Sequence, residues 1–304
     1  MEIAIIGAGP AGCYTALLLN HYGFDPLLIE EHEEAGRPIH IEGIMRKEVF
    51  TDMFLPISQK SIKNNIDKVT IYYEGNNFSI RRKNMLSVID REVFDKELSK
   101  GLNIKYDTKF LDLEKEGSGY LIKTDKGIFY SDIIIGADGP ISQVRRAAKL
   151  AANIKYYSVV LFRIRTKAGM KNLVEVHFKE HSSSYSWVIP ESDEVIRVGT
   201  ILDDPHQECA DFIDDMGIKG EFLDEIRGIS HIGYCETVKD NVALVGKAAC
   251  QVKPLGGGIY CEMKAAEVLA KCIKDKQLYS YEQNWKKVFG KVTKPDLIVH
   301  QIFG

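Results

Sequence analysis

The chain has 304 residues, 45% of them hydrophobic, and its 40 basic and 43 acidic side chains leave a formal charge of -3. That is enough chain to bury a large core, no basic block marks a nucleic-acid footprint, and no apolar run reaches the ~18 residues of a membrane-spanning helix. Six cysteines (Cys13, Cys209, Cys235, Cys250, Cys261 and Cys272) contain no C-x-x-C pair, which speaks against a zinc ribbon or a dithiol motif and for buried free thiols.

In chain order, "EIAII" is a short apolar strand that starts without a basic leader, so a cytoplasmic location is expected, compatible with peripheral contact at a membrane. The turn "GAGPAG", the helical "CYTALLLNHYG" and the strand "PLLIE" complete a β-α-β unit. "MRKEVFTDMF" has helical spacing, and "DKVTIYY" and "FSIRRK" flank "EGNN" as a hairpin. "DREVFDKELSK" is a helix capped by Asp90, with Phe94 and Leu98 on one face. "GYLIKTDKGIFY" turns at "DKG", and "DIIIGADGPISQVRRAA" runs from buried strand through a glycine turn into a helix. Residues 155–202 alternate as strands, residues 206–227 have helical spacing, and "NVALVG" has the apolar run of a parallel strand. His177 and His181 fall on a strand-like alternation, where i and i+4 lie roughly 13 Å apart, so no metal site is expected.

Parallel-type units at both ends and an antiparallel-looking middle give an α/β fold: a Rossmann-like dinucleotide domain with an inserted, mostly antiparallel β substrate domain. The expected division assigns 1–60, 86–150 and 232–275 to the first, 61–85 and 151–231 to the second, and 276–304 to a short C-terminal helical segment.

Gly7, Gly9 and Gly12 form G-x-G-x-x-G between a strand and a helix. The first glycine serves the turn, the second lets a pyrophosphate approach and the third allows close helix packing. Glu30 ends the next strand at about the ~20-residue offset where an acid accepts bonds from ribose hydroxyls. Two further glycine turns, "GADG" and "PLGGGIY", would give one long dinucleotide three separate contacts, which favours FAD over NAD. Gly256, Gly257 and Gly258 would turn backbone N–H groups and a helix N-terminus toward the electron-rich end of its flavin ring.

With "GRP" at 36–38, "DREVFDKEL" at 90–98, "YSWVIP" at 185–190, "VGKAACQVKPLGGGIYCEMKAAE" at 245–267 and "YEQNW" at 281–285, the sequence resembles the flavoproteins that join a glutathione reductase-type FAD domain to a hydroxylase-like substrate domain. Within them it is most similar to the geranylgeranyl reductase family of archaeal lipid synthesis. The resemblance spans nearly the whole chain, and its most discriminating piece is Tyr-x-Trp-x-x-Pro at Tyr185, Trp187 and Pro190, which in the family lines the lipid cavity. It implies FAD contacts from Ala11, Glu31, Arg37, Gly43, Arg91, Asp138, Gly139 and Ile259 beside the glycines and Glu30. From the residues alone, Arg91 could instead pair with Asp95, and Tyr185 and Trp187 could be half-buried strand aromatics.

Three departures stand out. Lys247 occupies a position where the family carries an acid that accepts a hydrogen bond from the ribityl chain; a lysine has no acceptor, so as a cofactor-binding residue it would instead donate to a ribityl oxygen or approach a phosphate. His40 replaces a cysteine near the flavin, trading a thiol for a proton donor. Gly199 is followed by Thr200 and Ile201 where Gly-x-Gly is usual, and the chain stops soon after "YEQNW".

The expected activity is FAD-dependent saturation of carbon–carbon double bonds in an isoprenoid, with hydride from the flavin and a proton by way of His40 or Tyr185. Electrons would come from NAD(P)H or a ferredoxin-like protein, since only one dinucleotide fingerprint is present. The alternatives are a monooxygenase of the same fold, told apart by oxygen use, and a flavin- or lipid-binding protein without turnover.

Overall fold

The computed structural model describes residues 1–39, 43–166, 171–179, 184–202, 204–252 and 258–289. The strands of the first half are β1 (Ile3–Ile6), β2 (Leu27–Ile29), β3 (Ile44–Arg46), β4 (Ile62–Tyr73), β5 (Asn76–Ile89), β6 (Ile104–Lys105), β7 (Phe110–Glu116), β8 (Gly119–Thr124), β9 (Gly127–Ser131) and β10 (Ile133–Gly136). Those that follow are β11 (Ala152–Arg165), β12 (Leu173–Phe178), β13 (Tyr185–Pro190), β14 (Val195–Leu202), β15 (Glu221–Cys235), β16 (Val238–Lys239) and β17 (Val242–Leu244). The helices are α1 (Pro10–His21), α2 (Glu48–Thr51), α3 (Arg91–Ser99), α4 (Gln143–Ala147), α5 (Pro205–Asp215) and α6 (Gly258–Lys274).

One sheet runs β16-β17-β10-β1-β2-β6, and all of its pairs are parallel except β16 with β17. Its central strands are apolar throughout because both faces are covered. Helices α1 and α6 bury Tyr14, Leu18, Leu19, Met263, Ala266 and Leu269 against one face, while Ile122, Val144 and Phe110 close the other. Helix α1 starts with Pro10 in its first turn, where the missing N–H costs nothing. In α3 the Asp90 carboxylate accepts from Val93 N at 3.2 Å, as its N-cap position requires.

The second sheet runs β15-β11-β14-β13-β12-β4-β5-β3, antiparallel except for β12 beside β4. One face carries Ile66, Val88, Val159, Trp187, Ile189 and Ile201, and the other packs Val160, Phe162, Val188 and Val198 under α5. A three-stranded meander, β7-β8-β9, completes the fold. No helix among the described residues is long and apolar enough to cross a membrane.

Three stretches differ from expectation. Helix α5 ends at Asp215, and Glu221–Cys235 is a 15-residue strand rather than more helix. Gly217 at φ 62° stops the helix, and pairing with β11 along the whole of β15 overrides the helical spacing of "EFLDEIRG". Met45 and Arg46, expected to be helical, belong instead with Ile44 to an edge strand paired with β5. The helix there is confined to Glu48–Thr51. The last residues of β5, Leu86–Ile89, likewise pair in the antiparallel sheet. At the C-terminal end, residues 281–289 are helical, and 290–304 lie outside the described residues.

Candidate functional site

The carboxyl ends of β1, β2 and β10 open on one cavity of about 670 Å3, within the usual range for a small-molecule site. Its lining includes Gly7, Gly9, Ala11, Glu30, Glu31, Arg37, Arg91, Asp138, Gly139, Lys247, Ile259 and Glu262. Most of the residues that the sequence pointed to are thus brought together, from segments more than 250 positions apart.

The glycine turn is built by close approach. A side-chain carbon at Gly7 would stand 2.5 Å from the Ala137 carbonyl oxygen, and one at Gly12 would stand 2.0 Å from the Gly7 carbonyl oxygen. At Gly9 such a carbon would meet nothing within 4 Å, because this glycine faces the cavity. The α1 N-terminus has no side-chain cap, which leaves its N–H groups and dipole directed at whatever fills the turn. Glu30 is buried, and its carboxylate accepts from Ala8 N at 2.7 Å, from His32 N at 3.1 Å and from the His32 ring at 2.6 Å. Oε1 takes both bonds from His32, and Oε2, which takes only that from Ala8, has further acceptor capacity.

The two arginines are held by neighbouring acids. Arg91 pairs with Asp95 at 2.8 Å, the (i, i+4) pairing open to it from sequence, and both are largely buried. Arg37 is exposed and pairs with Glu92 at 2.8 Å and Glu34 at 3.3 Å. Asp138 lines the cavity while closing its own loop: it accepts from Ser142 Oγ at 2.6 Å, Gln143 N at 2.6 Å and Val144 N at 3.0 Å, which fixes the start of α4. Burial pushes its carboxyl up against the pull of those donors. Gly43 stands against Ile89, whose carbonyl oxygen would be 2.7 Å from an added side-chain carbon, and so serves close packing.

Lys247 is half-buried in the turn of 3-10 helix that follows β17, at the cavity wall. Gly258 opens α6 and Ile259 reaches the cavity, while Gly256, Gly257 and His40 lie outside the described residues.

Tyr185, Trp187 and Pro190 do not line this cavity; they sit on β13. Trp187 is buried in the face of the antiparallel sheet that carries Ile66 and Val88, with Tyr185 at 5.4 Å between ring centroids. Its indole N–H has no hydrogen-bond partner among the described residues. His177 is on β12 and stacks on Tyr72 at 4.3 Å, and His181 lies outside the described residues. All six cysteines are buried, and none is in a disulfide.

Sequence reasoning missed three parts of this region. Arg227, Gly228 and Ile229 of β15 reach the cavity, hidden by the helical reading of that stretch. Glu262 is buried at the cavity wall on α6, and one signal for it was available: an acid between Cys261 and Met263 in an otherwise apolar stripe. Near β13, Glu191 is buried among Arg163, Arg197 and Lys63 at 2.8, 2.8 and 3.0 Å. Arg197 also donates to the Ile89 carbonyl at 3.1 Å, tying β14 to the end of β5.

Residues 1–111 match the family model described as pyridine nucleotide-disulphide oxidoreductase. The chain is similar to an uncharacterized protein of Methanocaldococcus jannaschii, 29% identical over 329 residues that cover 99% of this chain and 84% of that protein. It is also 29% identical over 320 residues to digeranylgeranylglycerophospholipid reductase 3 of Methanosphaera stadtmanae, covering 93% of this chain and 80% of the relative. Among solved structures, a geranylgeranyl bacteriochlorophyll reductase-like protein of Thermoplasma acidophilum shares the fold with a TM-score of 0.81 at 20% identity, over 95% of this chain and 83% of that one.

Proposed function

We propose that this chain, a homologue of the digeranylgeranylglycerophospholipid reductases, is an FAD-dependent oxidoreductase that saturates carbon–carbon double bonds of a geranylgeranyl-type isoprenoid lipid. The observation that carries the reading is the cavity at the carboxyl ends of β1, β2 and β10, where a glycine turn, an uncapped helix N-terminus and a buried acid converge. These residues fit FAD: Gly9 is open toward the cavity where a pyrophosphate needs room, and Glu30 has acceptor capacity for ribose hydroxyls.

When bound, FAD supplies the hydride for one alkene carbon. The chain has to place the lipid and deliver the proton. Isolated alkenes give no polar handle, so placement rests on a dry apolar wall, for which Tyr185 and Trp187 are the candidates. His40 and Tyr185 are the candidate proton donors. Arg37 and Arg91 would hold the cofactor with guanidinium groups already oriented by Glu92 and Asp95. With one dinucleotide fingerprint in the chain, electrons would come from a transiently docking NAD(P)H or a ferredoxin-like protein, and contact with a membrane surface would be peripheral.

The test is the absorbance spectrum of the purified protein, with FAD added if it emerges colourless, followed by anaerobic incubation of the reduced protein with a geranylgeranyl glycerolipid. Bound flavin and a lipid heavier by two hydrogens per double bond are expected. Turnover that consumes oxygen and hydroxylates a substrate would replace this reading with the monooxygenase, and a protein that refuses FAD would end it.

A further inference from the structure

Glu262 is 4% exposed, yet it lines the cavity, and among the described residues no hydrogen bond reaches its carboxylate. A buried carboxylate without a partner is costly, so its place in the cavity wall suits it to a donor on whatever fills the cavity. Its surroundings say where that donor belongs. A side-chain carbon at Gly246, directly before Lys247, would lie 3.5 Å from Glu262 Oε2, and one at Gly258 would lie 3.4 Å from Oε1. Glu262 thus stands between the segment after β17 and the start of α6, which bring Lys247 and Ile259 to the cavity. Burial pushes its carboxyl up, while the charges of Lys247, Arg91 and His231 pull it down and that of Asp95 raises it.

The sequence posed a problem at this place: Lys247 stands where the resembled family has an acid that accepts from the ribityl chain, and an ammonium group cannot accept. A carboxyl oxygen can accept whether or not its partner oxygen carries a proton. We propose that Glu262 is a cofactor-binding residue that supplies, from α6, the ribityl hydrogen-bond acceptor that Lys247 cannot provide. Lys247 then serves as counter-charge to Glu262, so that acid and position are redistributed between two segments that meet. The inference rests on FAD as the occupant of the cavity.

The experiment is calorimetric titration of the full-length protein with FAD and, separately, with ADP, which fills only the adenosine and pyrophosphate half. Glu262→Ala should weaken FAD binding by about tenfold or more and leave ADP within about twofold. Glu262→Gln, of equal size and with an acceptor oxygen, should retain most of the affinity. The double variant Lys247→Asp, Glu262→Ala should recover FAD binding, because the acceptor returns to the segment after β17. FAD bound by Glu262→Ala as tightly as by the parent would overturn the assignment. Equal loss of FAD and ADP would also overturn it, by making Glu262 a support of the fold. A parent protein that binds ADP but not FAD would remove the flavin reading itself, and the inference with it.

Discussion

Burial alone would push the Glu191 carboxyl up, yet hydrogen bonds from Arg163 at 2.8 and 2.9 Å, the charge of Arg197 and the Lys63 amine hold it far below the usual carboxylate range. In an unfolded chain a glutamate titrates near ~4.3. The stabilisation is therefore present in full above that value and is lost as pH falls through the depressed folded one. Glu191→Gln leaves three cations with one partner fewer, and should lower unfolding free energy by about 3 kcal/mol at neutral pH. Urea denaturation should show that deficit shrinking progressively below about pH 4. Nothing local announced this cluster, because residues 63, 163, 191 and 197 meet only through sheet pairing. The glycine turn is the opposite case: its chemistry is written in six consecutive residues. Gly12→Ala would force a carbon to 2.0 Å from the Gly7 carbonyl oxygen and should disrupt the turn, whereas Gly9→Ala meets no protein atom. Thermal melts should place Gly9→Ala within ~0.5 kcal/mol of the parent, while FAD titration shows its affinity reduced about tenfold or more.

At the level of elements, the strand register explains a residue that looked only irregular in sequence. Gly199 of β14 lies opposite Trp187 of β13, and a side-chain carbon there would be 2.4 Å from the indole ring. The glycine is thus a seat for Trp187. Gly199→Ala should displace the indole and destabilise the protein by ~1–3 kcal/mol, with a red shift of tryptophan emission as the ring loses its packing. The hairpin of β4 and β5, the capped α3 and the β1-α1-β2 unit were all legible, since turn residues, capping and short-range periodicity specify them. Residues 221–235 and 44–46 were not, because their strand state comes from partners 56–83 and 40–44 positions away, and spacing within the segment carries no trace of that pairing.

For the molecule as a whole, the cavity is walled by the segments that also form the core: the α1 turn, the end of β2, the loop after β10 and the start of α6. A ligand there should stabilise the whole fold against global unfolding rather than a local loop. FAD at a hundred times its Kd should add about 2.7 kcal/mol, seen as a raised melting midpoint, and an unmoved midpoint would place the cofactor elsewhere. The two-part architecture was legible in the alternation of parallel-type and antiparallel-type strands, but its seams were not, because β3 and the end of β5 pair outside the parallel sheet. The chain visits the parallel sheet at 3–29, 104–136 and 238–244 and the antiparallel one at 44–89 and 152–235. Neither sheet is a continuous stretch of polypeptide. No single cut in the gene yields one layer intact, so a recombination between relatives with one crossover exchanges parts of both layers at once.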